Sequence, residues 1–91
     1  MTTPHEGPDL RAWLLRILRR RAQGSPDPLT DDTPLAEGGL CLDSLALMGL
    51  IAEIEDTLTL RLRETEISAE NFGTPGLLLR FLERRMGAAR A

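Results

Sequence analysis

Gly39-Leu40-Cys41-Leu42-Asp43-Ser44-Leu45 lies near the middle of the 91-residue chain, and its reading decides the rest. A stretch rich in turn residues runs into Asp43-Ser44, and apolar residues at helical spacing begin directly after it. Asp and Ser favour helix starts because their side-chain oxygens accept from first-turn N–H groups that have no partner within the helix. Ser44 therefore belongs at the exposed entrance of a helix, as a cap or as a point of attachment.

The helix that follows is predicted from Ser44 to about Leu58. Leu45, Met48, Ile51 or Ala52, Ile54 or Glu55, and Leu58 set its inward stripe, and Leu47 and Leu50 widen it. So broad an apolar surface suits a central helix touched on more than one side. Gly49 inside it costs about 0.5–1 kcal/mol relative to Ala, which suggests that something approaches closely there.

Upstream, Leu10, Trp13, Leu14, Ile17 and Leu18 recur at i, i+3, i+4, i+7 and i+8, one face of a first helix capped by Asp9. Arg19, Arg20 and Arg21 complement the dipole at its C-terminal end, and Gly24 with Ser25-Pro26 stops it. Residues 24–43 then hold Gly24, Pro26, Pro28, Pro34, Gly38 and Gly39. A connection this long without regular structure is usually functional. Its leucines Leu29, Leu35, Leu40 and Leu42 need burial, so it should lie across the helix ends with them turned inward.

Downstream, Thr59-Leu60-Arg61-Leu62-Arg63 alternates like a strand but has no strand to pair with, and reads as an extended connector. Residues Ile67–Phe72 suit one short helical turn. Thr74-Pro75 gives a cap followed by proline at the first helical position, and Leu78, Phe81 and Leu82 face inward as far as Met86, with Gly87 as the stop. Three long helices, one short one and a long first loop make an all-α fold, an antiparallel four-helix bundle with a crossover connection. The folded domain is expected over residues 9–86, with flexible tails at 1–8 and 87–91.

Composition narrows the function. The 42% hydrophobic content is that of a folded protein, and the scarcity of aromatics (Trp13, Phe72, Phe81) leaves a core of leucine and isoleucine. The net charge of −3 divides into +3 over residues 1–24, −9 over 25–70 and +3 over 71–91. An acidic middle favours basic partner surfaces and disfavours nucleic acid. A single cysteine excludes an internal disulfide, no apolar run approaches the roughly 20 residues of a bilayer span, and the start lacks the pattern of a signal peptide. A cytoplasmic location follows as the expectation.

Self-sufficient catalysis is not supported. A serine nucleophile needs a base, and the one histidine, His5, lies in the expected tail. One Cys and one His far apart make no metal site, and Gly38-Gly39 lacks the third glycine of a dinucleotide loop. Cys41 reads as a small buried residue; exposed, its thiol would lie close to any group attached at Ser44 and could form a mixed disulfide with a thiol there. The arginines of the first helix read as a solvated outer face.

The central stretch resembles the Gly-Leu-Gly-Leu-Asp-Ser-Leu signature of acyl carrier proteins, with Cys41 in place of the second glycine. Asp31-Asp32-Thr33-Pro34-Leu35 is similar to that family's loop leucine motif. Leu58-Thr59-Leu60-Arg61-Leu62 is similar to its aromatic-Gly-Ile-x-Ile connector, and Glu70-Asn71-Phe72-Gly73-Thr74 to its short third helix and fourth-helix cap. The resemblance spans roughly residues 10–85. It implies an acyl-carrier-like bundle whose Ser44 is esterified with 4'-phosphopantetheine, donated by coenzyme A through a separate phosphopantetheinyl transferase. By the same resemblance Asp43 caps the helix and helps to position the transferase's metal-bound phosphates, Leu45 packs inward beside the attachment point, and Met48 brushes the arm or its cargo.

Family members dock partners through acidic positions on the second helix. Here the early positions are Ala46, Leu47 and Gly49, and acids return only at Glu53, Glu55 and Asp56. The resemblance thus implies a more hydrophobic, less salt-sensitive docking surface, made by Leu42, Ala46, Leu47, Met48, Gly49 and Glu53. It implies acyl-loading and acyl-transfer enzymes of a polyketide or related secondary-metabolite pathway as partners, no nucleic acid or membrane partner, and a monomer. An aminoacyl, peptidyl or glyceryl carrier is the alternative within the class. A helical adaptor that binds protein through this helix, with Ser44 only a cap, is the alternative outside it.

Overall fold

A computed structural model of the chain describes residues 7–24 and 28–90. Four helices follow in order: α1 (Gly7–Arg21), α2 (Ser44–Leu58), α3 (Ala69–Phe72) and α4 (Pro75–Arg90), with one 3-10 turn at Glu64–Glu66. No strand occurs among the described residues. The expected all-α bundle with three long helices and one short one is therefore present.

The face predicted for α1 is the buried one. Leu10, Trp13, Leu14, Ile17 and Leu18 all enter the core. The helix starts at Gly7, two residues before the expected cap Asp9. Pro8 does not oppose this, because a proline's missing N–H falls among those with no partner in a first turn. The rest of the expected N-terminal tail, residues 1–6, lies outside the described residues.

Residues 28–43 form the expected structured crossover. Leu35 and Leu40 are buried and Leu29 and Leu42 pack partly against the core. Backbone hydrogen bonds fix the loop to three helix ends. The Leu40 carbonyl accepts from Gln23 N at 3.0 Å and Gly24 N at 3.2 Å, just beyond α1. Leu35 N donates to Gly73 O at 3.1 Å, after α3, and Gly76 N of α4 donates to Asp31 O at 3.0 Å. Gly39 lies so close to Pro34 that a Cβ there would collide with the Pro34 carbonyl oxygen. That oxygen accepts from Leu40 N at 2.9 Å, so the tight approach and the ladder-like pairing are one feature.

α2 begins and ends where the sequence places it, but its inward stripe is displaced. Leu50, Ile54 and Leu58 are buried, with Leu47 and Ile51 partly so, whereas Leu45 and Met48 are exposed. Apolar residues fill so much of the first half that spacing alone leaves the helix free to rotate. The buried side is chosen by packing against neighbours, and α1 packs against both α2 and α4.

Thr59 turns left-handed (φ 53°) and donates its N–H to Glu55 O, ending α2. The connector beyond it is extended, as expected, with Leu60 and Leu62 packed on the core. Glu55 pulls it back by accepting from Leu62 N at 2.9 Å, and Arg85 of α4 donates to Arg61 O at 2.5 Å. Phe72 of α3 meets Phe81 of α4 with ring centroids 5.9 Å apart. Thr74 caps α4 by accepting from Leu77 N at 3.2 Å, ahead of Pro75. The helix does not stop at Gly87 but continues to Arg90. A glycine permits a left-handed stop without imposing one.

Candidate functional site

The site is the entrance of α2, held from behind by the crossover loop. Asp43 stands just before the helix in extended backbone, and its Oδ1 accepts from Ala46 N at 2.8 Å. Its Oδ2 accepts from the Gln23 side-chain amide at 2.7 Å. These bonds, the Ala46 N–H first and the Gln23 amide second, hold the Asp43 carboxyl below the usual carboxylate range. Asp43 is thus the cap, and Ser44 is left as an exposed residue on the first turn. Gln23 escapes a reading of the sequence, because nothing local marks a residue 20 positions away as the second partner of a cap.

Cys41, expected to be buried, is exposed, with φ at 54°. The left-handed region disfavours any residue with a Cβ, which accounts for a glycine at the corresponding position of the acyl carrier signature. Leu45, expected to pack inward, is 78% exposed, and Met48, one turn along, is 66% exposed. Both follow from the rotation of α2 described above.

The remaining docking candidates separate into three groups. Leu42 and Leu47 turn toward a cavity of about 300 Å³ between the loop, α2 and the α3 region, which Leu35, Ile67, Phe72 and Gly73 also line. Ala46 spends its N–H on the Asp43 cap. Gly49 and Glu53 face α1. The guanidinium of Arg21 occupies the place a Gly49 Cβ would take, which is the close approach that the glycine suggests. Arg21 donates from Nε and Nη2 to Glu53 Oε1 at 3.1 and 3.0 Å, and Arg20 donates to Oε2 of the same carboxylate. Burial resists ionisation of Glu53, yet the two guanidiniums outweigh it and hold the carboxyl below its ordinary value. Glu53, expected on the docking surface, is thus engaged within the molecule by Arg20 and Arg21.

The arrangement fits a phosphodiester on Ser44. The hydroxyl lies at the N-terminal end of a 15-residue helix whose first turn contains no acid, and the one neighbouring carboxylate, Asp43, is directed at Ala46 and Gln23. First-turn N–H groups and the positive end of the helix dipole favour an anion there. Among the described residues no cluster of three or more His, Cys, Asp or Glu could hold a metal. No helix among them is long and apolar enough to cross a membrane.

No curated protein matches the chain. A family model described as the phosphopantetheine attachment site matches residues 12–82, which takes in α2 whole, the loop before it and α3 after it. That match covers well over half of the chain. Members of this family are carriers, not enzymes, and hold their cargo through covalently attached 4'-phosphopantetheine, working with a phosphopantetheinyl transferase and with biosynthetic enzymes. The chain belongs to the phosphopantetheine-attachment family, that of the acyl carrier proteins.

Proposed function

We propose that Ser44 is the attachment point and that the chain tethers an acyl intermediate during polyketide or related secondary-metabolite assembly. The observation that carries this is the division of labour at the α2 entrance: Asp43 caps the helix, which frees the neighbouring hydroxyl for chemistry. Ser44 Oγ attacks the pyrophosphate phosphorus of coenzyme A that bears the pantetheine arm, gives up its proton to the transferase, and displaces 3',5'-adenosine bisphosphate as the P–O–P bond breaks. The helix start then stabilises the phosphodiester charge that remains on Ser44. Asp43 keeps the turn rigid, and the loop pinned through Leu35 and Leu40 fixes the direction in which Ser44 points. Once attached, the arm supplies a thiol that holds cargo as a thioester.

The cavity beside α2 supports an acyl cargo over an aminoacyl one, since Leu42, Leu47 and Phe72 dominate its lining and, apart from the Ser68 hydroxyl, no polar or acidic side chain there meets a charged amine. We read Met48 and Leu45 as the part of the docking surface nearest the arm, and the chain as a cytoplasmic monomer. One cysteine and no need of a disulfide support that location.

Incubation with coenzyme A and a promiscuous phosphopantetheinyl transferase tests the reading. Intact-mass spectrometry is expected to show one added phosphopantetheinyl group on the wild type and none on Ser44→Ala. An unmodified wild type, under conditions that modify a known carrier protein, would leave the helical adaptor as the better account.

A further inference from the structure

Leu45 and Met48 are the large hydrophobic side chains left exposed among the described residues. At i and i+3 they are neighbours on one face of α2, and that face begins one residue after Ser44. Gly49 lies one turn on from Leu45, and the Arg21 guanidinium covers it. Arg20 and Arg21 share a single carboxylate, Glu53, so this rim of the apolar patch carries one positive charge more than it neutralises. The Arg20 side chain is 59% exposed and uses one Nη for Glu53, which leaves guanidinium donors for a second acceptor. Arg16, one turn back on α1, is exposed beside it. No acid occurs from Ser44 to Ala52; the Asp43 carboxylate keeps its charge just before the helix but is directed at Ala46 N and the Gln23 amide, and the exposed Asp56 lies three turns from Leu45.

Within a chain of net charge −3, the α1–α2 seam is therefore a local cationic rim beside an apolar patch. We propose that this seam docks a partner enzyme whose carrier-binding surface is an apolar socket bordered by Asp or Glu side chains. The proposal rests on the carrier reading for the class of partner, and reverses the charge that an acidic carrier helix would demand of it. Leu45 and Met48 supply apolar area, and the arginines select the sign of the border. A basic border would meet two guanidiniums whose shared carboxylate is already taken, and like charges at an interface oppose association.

The test uses the full chain carrying Ser44→Ala, so that no arm contributes to affinity. It is titrated against one acyl-transferring enzyme that recognises carriers through an Arg/Lys-bordered surface, and against that enzyme with the border replaced by Glu. The Glu-bordered form is expected to bind roughly three- to tenfold more tightly, with the difference shrinking between about 0.05 and 0.5 M salt. Arg20→Glu should abolish the difference and Arg20→Ala should reduce it. The second variant keeps Arg21 on Glu53, and its melting transition verifies the fold. Leu45→Ala and Met48→Ala should weaken binding to both forms. Tighter or equal binding to the basic form, indifference to both Arg20 variants, or no binding to either form overturns the proposal. Failure of the carrier reading would show instead in the wild type, as an unmodified Ser44.

Discussion

The two halves of α2 both carry large apolar side chains, and those side chains meet opposite fates. From Leu50 onward, Leu50, Ile54 and Leu58 are at most 5% exposed and close the core against the other helices. Before Leu50, Leu45 and Met48 stand in solvent about one turn or less from Ser44. Large apolar side chains thus stabilise the fold at one end of the helix and stand in solvent at the other, where the docking surface is proposed. Mutation separates the two most sharply. Leu50→Ala or Ile54→Ala should cost about 2–5 kcal/mol, the loss of transfer energy plus a cavity, read by urea denaturation. Leu45→Ala and Met48→Ala should stay within about 0.5 kcal/mol of wild type, since they remove nothing from the core. A Leu45→Ala variant as unstable as Leu50→Ala would mean that Leu45 packs inward after all.

The halves also differ in what anchors them to α1. The later half is also tied by Glu53 to Arg20 and Arg21, a tie that agrees with the rotation set by packing. Glu53→Ala should lower stability by about 1 kcal/mol, near the upper end for partly exposed ion pairs, and the loss should diminish at high salt. The anchor is pH-dependent in a defined direction. A carboxyl held below its ordinary value stabilises the fold above the unfolded-state value and ceases to do so as pH falls through the folded one. The loop leading into the first half offers a gain instead. Cys41→Gly should raise stability by about 0.5–1 kcal/mol, since the left-handed backbone there costs a residue with a Cβ more than it costs glycine. An unchanged melting temperature would show that the Cys41 side chain compensates through its contacts.

What the sequence disclosed, and what it withheld, follows the same division. The limits of α2 and the start of α4 are written locally, in Asp43 and in Thr74-Pro75, because a cap acts on residues two or three positions away. The inward turn of Leu35 and Leu40 could be read because leucines in a turn-rich stretch have nowhere else to go. The rotation of α2 could not, with apolar residues at Leu45, Ala46, Leu47, Met48, Leu50 and Ile51 all compatible with burial. Nor could the engagement of Glu53, whose partners are 32 and 33 residues away, or the left-handed backbone under Cys41, which a non-glycine does not advertise. The entrance of α2 was legible and its surroundings were not, since a cap depends on neighbours in the chain and a helix's exposed face on neighbours in space.

Asp43 is to the first half of α2 what Glu53 is to the second, an acid tied across to the region of α1, and it gives the smallest and most specific effect. Its carboxyl is held low by the Ala46 N–H and the Gln23 amide, both of which favour the charged form. Its contribution to stability is therefore complete above the ordinary carboxylate range and is lost as pH falls through the lower folded-state value. Asn also caps helices, so Asp43→Asn keeps a hydrogen bond to Ala46 while removing the charge. Wild type should melt slightly above this variant near pH 7, and the gap should close as pH falls through the lowered folded-state value of the Asp43 carboxyl. Gln23→Ala should narrow the gap at neutral pH without touching the cap itself, and Asp43→Ala should lower the melting temperature at every pH. If wild type and Asp43→Asn lose stability in parallel across that range, the charge on Asp43 does not act through the fold. Its place beside Ser44 must then be explained by what it does for the incoming transferase.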